Sequence, residues 1–341
     1  MRGEADHARL VRSSLQTVIR PAYDAFAKEA QALKAKTQDL CVDPSKATLA
    51  HARTAFAVTV LRWSAVEVFQ FGPVNRDHRY ERLFFWPDRK GLGLRQIQRA
   101  LADTDETVTR ASTLSKKSVA LQGLPAIEYL LYGKGAEALA APGAAGVFRC
   151  SFAAAVTDNI ATVAQDVSEA WAPDAPFAKM LLEPGPDGSL YRQPKDVTLE
   201  LYKAFDGGIE RVGDQKLGRA LGKSAERARP RLAPFWRSGL TFPNMAGNLT
   251  VVQALFVEGG FAEIVAVQSP GVEKSILFDL ERATGVLQDE REPIAEAVKD
   301  PEQRAKLEAL RVALKSARET ASELITAGAG LSFGFNAVDG D

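Results

Sequence analysis

Apolar residues recur every three or four positions along most of the chain, with polar residues between them. This spacing is typical of a helix with one buried face, and alternating strand-like patterns are scarce. The pattern predicts long helices over the segments 8–38, 44–70, 146–172, 196–222, 247–265 and 301–327. Because long helices joined by short loops pack as antiparallel bundles, the sequence predicts an all-α fold built from bundles of the four-helix type.

Proline and glycine positions predict where these helices begin, bend and end. Pro21 lies inside the first helical pattern and is expected to kink or break it. The sequence DPS at 43–45 is a start signal for the second helix. The segment 183–196 is rich in proline and glycine, so we take it as the boundary between two helical-bundle domains, 1–183 and 196–341.

The composition excludes some classes of partner. Apolar residues make up 46% of the 341 residues, which is ordinary for a globular protein. Lys and Arg together equal Asp and Glu together at 43, so no overall field favours nucleic acid as a partner. No transmembrane segment is expected, because no apolar run approaches the ~18 residues of a spanning helix. No signal peptide is visible, so the chain is either cytosolic or exported with its signal removed.

Charged residues inside apolar helices are the first candidates for a site. The segment 55–71 is apolar almost all round and should be buried, yet it contains Arg62 and Glu67. A buried charge is costly unless it is paired or used. Glu67 is therefore either half of a structural ion pair or a carboxylate that lines a pocket between helices.

The segment QGLPAIEYLLYG, residues 122–133, raises the same question at Glu128. Gly123 and Pro125 suit the start of a helix, which places Glu128 in the first turn or just beyond it. There the helix dipole and the unpaired N–H groups would stabilise a carboxylate. The alternative is that Glu67 and Glu128 converge, as oxygen ligands of a metal or as a polar anchor for a small ligand.

Other candidate chemistry is sparse. His7, His51 and His78 do not form a zinc-protease helix motif, and His78 is interpreted as a solvated loop residue. The long segment 72–93 is rich in aromatic residues, arginine and glycine, as functional loops often are. Within it Trp86 and Asp88 flank a proline, which indicates either an anchored turn or the lip of a pocket.

The second half of the chain adds two candidate residues and a terminal segment. Arg237 precedes an apolar helix and is expected to face a cleft, and Asn248 is interpreted as the cap of that helix. The terminal GFNAVDGD predicts a tight turn without evident chemistry. Cys41 and Cys150 are either two independent core residues, as in a cytosolic protein, or one disulfide, as in an exported protein.

A resemblance to a known family rests on several segments in order along the chain: LRWSAVEVFQFGPV, FFWPDRKG, VALQGLPAIEYLLYG, RSGLTFPNMAGNL and GFNAVDGD. From about Pro21 to its end the chain resembles the imelysin-like proteins, the family of the insulin-cleaving membrane protease and its iron-regulated relatives. The family motif is Gly-x-His-x-x-Glu. Gly123 and Glu128 match it, whereas Pro125 takes the place of the histidine, so the chain resembles a divergent branch.

The resemblance implies two helical-bundle domains with a functional cleft between them, export to the periplasm or cell envelope, and a link with iron uptake. Candidate residues for lining that cleft are Arg62, Glu67, Trp86, Asp88, Glu128 and Arg237, with Glu67 and Glu128 as the candidate metal ligands. Export also favours a disulfide between Cys41 and Cys150.

We therefore expect a non-catalytic periplasmic protein that binds a small ligand or a metal species at the cleft. Iron or another divalent cation is the candidate cofactor, and an envelope iron-transport protein is the candidate partner. A metal-dependent peptidase is the alternative, weakened because Pro125 has no side-chain donor or acceptor where the motif has histidine. The third hypothesis is a structural or interaction protein of the envelope, with both glutamates satisfied internally.

Overall fold

The chain folds almost entirely into helices. The computed structural model describes residues 3–185 and 190–331, and these contain no strand. The α-helices are α1 (Glu4–Ser13), α2 (Arg20–Val42), α3 (Lys46–Val66), α4 (Arg79–Leu83), α5 (Leu92–Ala102), α6 (Ala111–Leu114), α7 (Gly123–Tyr132), α8 (Ala144–Ala170), α9 (Pro176–Leu182), α10 (Pro194–Glu210), α11 (Arg219–Leu221), α12 (Thr241–Val257), α13 (Phe261–Gln268), α14 (Val272–Asp289), α15 (Ile294–Ala297) and α16 (Pro301–Ala329). The predicted all-α class is confirmed.

Each half of the chain contributes one group of packed helices. In the first half α2 packs against both α3 and α8, and α7 packs against α8. In the second half α10, α12, α14 and α16 form a closed ring in which each helix packs against the next. Helix α1 packs against α10, and α3 packs against α12, so both helices join the halves. The buried apolar side chains form one continuous core, and the division at 183–196 stays a prediction.

The predicted start signal at 43–45 agrees with the structure, whereas Pro21 has a smaller effect than expected. The side chain of Ser45 accepts a hydrogen bond from the backbone N–H of Thr48 at 3.2 Å, so the DPS sequence does cap α3. Pro21 does not end the first helix. It is the second residue of α2 and follows a π-helical segment, Ser14–Ile19, whose wider turn accommodates the missing N–H.

Two helical predictions in the second half need correction. The predicted helix 247–265 is two helices, α12 and α13, which are bent by 60°. Gly260 between them has φ of 98°, a left-handed conformation that side chains disfavour. Helix α14 (Val272–Asp289) has no counterpart among the predicted segments. Within the described ranges no single helix is long and apolar enough to cross a membrane, and only the bent pair α12 and α13 meets that test together.

A disulfide joins Cys41 to Cys150 and confirms the predicted bridge. Cys41 lies near the end of α2 and Cys150 lies near the start of α8, two helices that pack side by side. The bridge closes a loop with a sequence separation of 109 residues. It therefore fixes one end of the first group of helices and restricts the unfolded chain.

Candidate functional site

The motif segment forms the start of α7, as the sequence predicts. Gly123 is the first residue of the helix and has φ of 76°. A Cβ atom there would lie 2.4 Å from the carbonyl oxygen of Leu83, so only glycine lets α7 approach the end of α4 this closely. Pro125 lies in the first turn, where a missing N–H costs nothing.

Glu128 does not cap this helix. It is the sixth residue of α7, beyond the turn whose N–H groups are unpaired. Its Oε1 instead accepts three hydrogen bonds from the loop before α12: 3.0 Å from the N–H of Arg237, and 2.9 and 2.8 Å from the N–H and hydroxyl of Ser238. The interpretation of Glu128 as a helix-start carboxylate is therefore wrong, because its donors come from the other half of the chain.

The two oxygens of Glu128 differ in their surroundings. Within the described residues Oε2 accepts no hydrogen bond. The residue is only 3% exposed, and it lines a cavity of about 700 Å³. Burial raises the pKa of Glu128, although the hydrogen bonds from Ser238 and the charge of Arg237 oppose the shift. Glu128 thus places on the cavity wall a carboxyl group whose neutral form is favoured by burial.

Residues from both halves of the chain line this cavity. The first half contributes the segment after α4, helix α5 and helix α7, and the second half contributes the loop 231–237. Much of the wall is aromatic: Phe84, Phe85, Trp86, Tyr129, Phe235 and Trp236. The rings of Phe84 and Phe235 stack with centroids 5.3 Å apart, which joins the two halves of the chain at the cavity wall. A recess with apolar walls and a few polar groups is typical of sites for small organic ligands.

The structure brings Trp86, Asp88 and Arg237 to the cavity together with Glu128. The indole N–H of Trp86 donates to the carbonyl of Leu232 at 3.0 Å, which anchors the ring. The guanidinium of Arg237 lies over the rings of Trp236 and Tyr129, 4.4 and 5.4 Å from their centroids. These three side chains occupy the positions expected of cavity-lining residues, and their part in binding stays a prediction.

Asp88 also stabilises the start of helix α5. Its two carboxylate oxygens accept hydrogen bonds from the N–H groups of Leu92 and Gly93, at 2.7 and 2.9 Å. It therefore holds the first turn of α5 against the cavity, as a carboxylate at a helix start does.

Arg62 and Glu67 lie elsewhere. Arg62 is exposed on α3, and neither residue lines the cavity. Glu67 is fully buried, and the Nζ of Lys216 lies 2.8 Å from its Oε2. The expectation that Glu67 and Glu128 share one recess is wrong, because a lysine distant in the sequence neutralises Glu67 inside the core.

A polar network surrounds Oε2 of Glu67, whereas Oε1 is buried without a hydrogen bond among the described residues and lies 3.8 Å from Nη1 of Arg211. The amide groups of Asn244 and Asn248 donate to Glu67 Oε2 at 3.1 and 3.2 Å, and their oxygens each accept from Lys216 at 2.6 Å. Burial opposes ionisation of Glu67, but the charges of Lys216 and Arg211 outweigh burial and lower its pKa. Burial lowers the pKa of Lys216 to about 8, because the attraction of Glu67 only partly offsets desolvation.

Sequence reasoning missed most of this network. Asn248 lies in the second turn of α12 and does not cap it, so that interpretation is wrong. Asn244 and Asn248 lie four residues apart in an apolar helix and so share one face, which is a recognisable signal. Lys216 falls in a π-helical segment, Arg211–Gly218, within the predicted helix 196–222. The residues around Lys216 do not predict its role, because its partner Glu67 is 149 residues away in sequence.

The side chains at the cavity are poorly suited to bind a bare metal ion. Among the described residues, no group of three or more His, Cys, Asp or Glu side chains is close enough to hold one. His51 and His78 are exposed, and the ring of buried His7 lies 3.0 Å from the hydroxyl of Thr198. At the motif position of histidine, Pro125 offers no side-chain ligand atom. The predicted tail turn, GFNAVDGD, lies outside the described residues.

Comparisons with known proteins agree with this fold. An imelysin-like protein from Psychrobacter arcticum is 17% identical, with 98% of this chain and 99% of that chain covered at a TM-score of 0.77. A protein of Parabacteroides distasonis described as an iron-regulated protein A precursor is 15% identical, with 95% and 96% covered at a TM-score of 0.79. At such identities the likeness shows the fold alone. No protein with a curated description matches the chain.

The family assignment rests on a sequence model. The model of the peptidase family described as Imelysin matches residues 19–321, which is most of the chain. The match includes the start of α7, both buried glutamates and the loop that binds Glu128. The chain therefore belongs to the imelysin family.

Proposed function

We propose that this protein is an exported, non-catalytic binding protein that holds a small organic ligand in the cavity beside Glu128. One observation carries the proposal. Glu128 is buried at the cavity wall with one oxygen fixed by three hydrogen bonds, while its other oxygen accepts none from the described residues. A carboxylate oxygen that takes no hydrogen bond from the protein is free to accept one from a ligand that enters the cavity.

The surroundings of Glu128 support an organic ligand over a bare ion. A metal ion prefers several oxygen or nitrogen ligands, whereas Asp88 already accepts two backbone N–H groups and Pro125 replaces the motif histidine. The same donor set supports binding over metal-dependent hydrolysis, which needs a held metal and a polarised water. The volume of about 700 Å³ suits a small molecule with a flat apolar body.

The biological setting comes from the relatives. One structural neighbour is described as an iron-regulated precursor, a name that suggests export, and the disulfide of this chain suits an oxidising compartment. We therefore place the protein in the periplasm or cell envelope, in connection with iron acquisition and an envelope transport partner.

A fluorescent dye tests the site directly. N-phenyl-1-naphthylamine is uncharged, apolar and carries a single N–H donor, and its fluorescence rises in an apolar environment. We expect saturable binding to the native protein and loss of binding in Leu94→Trp, because the larger ring fills the cavity that Leu94 lines. Dye affinity that is equal in the native protein and in Leu94→Trp contradicts the proposal.

Glu128→Gln tests whether the Glu128 oxygen that faces the cavity contributes to binding. The amide oxygen of Gln can accept the same three hydrogen bonds, while its NH₂ group replaces the acceptor that faces the cavity. We expect dye affinity to fall about fivefold, since the dye offers only a donor. Glu281→Gln, an exposed change on α14, is the matched control and should bind like the native protein. Calorimetry with ferrous and zinc ions should show no binding that depends on Glu128.

A further inference from the structure

One cation on the cavity wall has no protein acceptor for its side-chain donors. Arg237 is half-buried and lines the cavity, and it is the backbone N–H of this residue that donates to Glu128. Among the described residues its guanidinium group forms no ion pair within 4.0 Å and donates no hydrogen bond. A guanidinium group has five N–H donors in a fixed plane and no acceptor. The side-chain donors of Arg237 are thus left for water or for a ligand in the cavity.

Two aromatic rings position this guanidinium group. Its central carbon lies 4.4 Å from the centroid of Trp236 and 5.4 Å from the centroid of Tyr129, and both rings line the cavity. Tyr129 belongs to α7 and Trp236 belongs to the loop 231–237, so both halves of the chain hold the side chain. The ring faces attract the cation but do not compensate its charge. Arg237 is therefore a positioned set of donors rather than a freely moving surface arginine.

The acids on the cavity wall compensate Arg237 only weakly. They are Asp88 and Glu128. Asp88 already accepts two backbone N–H groups at the start of α5, and burial favours the neutral form of Glu128. Burial also lowers the pKa of Arg237, against the attraction of both acids, and the charge of Arg231 lowers it further. An anion beside the guanidinium group would supply the stabilisation that burial removes.

A second arginine lies at the same ring. The guanidinium carbon of Arg231 is 5.4 Å from the centroid of Trp236, and this exposed residue also lines the cavity. Arg89 and Lys134 are two further cations on the wall, so among the described residues that line the cavity the basic side chains outnumber the acidic ones. The chain as a whole is neutral. The local excess of positive charge therefore favours a negatively charged ligand.

We propose that the ligand of this cavity is a small organic anion whose carboxylate or sulfonate group binds the guanidinium group of Arg237. This inference rests on the proposed function of the cavity as a ligand site. A planar guanidinium group binds such anions through paired N–H donors. The flat body of the ligand lies along the aromatic wall, and a donor on that body binds the Glu128 oxygen that accepts no hydrogen bond from the described residues.

Two dyes that differ by one anionic group test this inference. The probes are 8-anilinonaphthalene-1-sulfonate and its uncharged parent, N-phenyl-1-naphthylamine. We expect Arg237→Gln to weaken binding of the sulfonate about tenfold and to leave affinity for the uncharged dye within about twofold. The variant keeps the backbone N–H that donates to Glu128, so that contact is retained. Raising the salt concentration from about 50 to about 500 mM should weaken binding of the sulfonate more than binding of the uncharged dye.

Three further variants define the role of Arg237. Arg237→Lys keeps the charge but loses the paired donors, and it should retain part of the affinity for the sulfonate. Arg231→Gln removes the exposed cation at the same ring and should weaken the sulfonate by about threefold at most. Arg282→Gln removes an exposed charge on α14, a helix that does not line the cavity, and should bind both dyes like the native protein. Circular dichroism of each variant checks its helix content.

The outcomes separate the two proposals. If Leu94→Trp leaves the affinity for both dyes unchanged, neither dye enters the cavity, and the proposed function and this inference both fail. If Leu94→Trp blocks both dyes but Arg237→Gln keeps native affinity for the sulfonate, the anion inference alone is overturned. An equal loss of both dyes in Arg237→Gln also overturns it, because Arg237 would then act by packing against its two rings. A loss of the sulfonate in Arg282→Gln as large as in Arg237→Gln would show a general charge effect and overturn it too.

Discussion

The two buried glutamates of this protein show how different surroundings give one residue type different roles. Glu67 and Glu128 both lie in apolar helical segments, and both are almost fully buried. Glu67 meets a lysine and two asparagine side chains, and it lies inside a buried polar network. Glu128 meets backbone N–H groups and one hydroxyl, and it borders a cavity.

The difference lies in the charge of the partners. Lys216 and Arg211 supply full positive charges, so Glu67 stays ionised and its pKa falls despite burial. The groups that bind Glu128 are dipoles, and Arg237 is held at a distance over two aromatic rings, so burial prevails and the pKa rises. A buried carboxylate with an ionic partner holds a fold together, whereas one held by dipoles beside a cavity remains available to a ligand.

The largest expected effect is on stability, at the ion pair. Lys216→Met leaves Glu67 buried without its closest cation, and we expect a loss of about 3–5 kcal/mol in the free energy of unfolding. Urea denaturation measures this loss. The exposed Arg62, on the same helix as Glu67, provides the control, since Arg62→Ala should change stability by less than about 0.5 kcal/mol.

The double variant Glu67→Leu/Lys216→Met tests whether the charge itself is the cause. It removes both charges and should recover part of the loss, because no uncompensated ion remains in the core. Equal instability of the single and double variants would mean that packing, and not the ionic partner, distinguishes Glu67 from Glu128.

A smaller effect is expected at the cavity. Glu128→Ala leaves the donors of Arg237 and Ser238 without an acceptor, which should cost about 1–3 kcal/mol. Glu128→Gln keeps an oxygen at that position and should stay close to native stability while losing dye affinity. Equal destabilisation by both substitutions would assign Glu128 the same structural role as Glu67.

The smallest effect is a dependence on pH of opposite sign for the two residues. The pKa of Glu128 in the folded protein lies above its ordinary value of 4.5, so its contribution is fully present below that value and is lost as pH rises through the folded pKa. Glu128→Gln should therefore gain stability relative to the native protein as pH rises above about 4.5. The gain should grow by at most about 1.4 kcal/mol for each tenfold fall in proton concentration, and it should level off above the folded pKa. Urea unfolding of both proteins across this range measures the gain.

Glu67 should respond in the other direction. Its folded pKa lies below 4.5, so its contribution is present above that value and is lost as pH falls through the folded pKa. Urea unfolding of the native protein and of Glu67→Leu/Lys216→Met across acidic pH measures this. A stability difference between them that does not change with pH would contradict the ionised state of Glu67.

Much of the fold was predictable because its signals are local. The helix starts at Ser45 and Gly123 follow from a few neighbouring residues, and the long helices follow from apolar spacing. The two errors in helix assignment have local causes too, since Gly260 interrupts one predicted run and the weaker pattern of Val272–Asp289 was missed. The disulfide followed from the family resemblance, and the structure confirms it.

The candidate site was only partly predictable. Glu128, Trp86, Asp88 and Arg237 were identified as unusual residues in their segments, and they do meet at one cavity. Ser238 was not singled out, because a serine in a loop gives no local signal. Its importance comes from donating two hydrogen bonds to Glu128, which is 110 residues away in sequence.

By itself the sequence determined where the helices form, where several of them begin, and that two carboxylates would be buried in apolar surroundings. Those properties depend on residues within a few turns of one another. Only the tertiary structure decided which glutamate is neutralised and which borders a cavity, because Lys216 is 149 residues from Glu67 and Arg237 is 109 residues from Glu128. Contacts over such separations are set by the packing of whole helices, which no local pattern of side chains specifies.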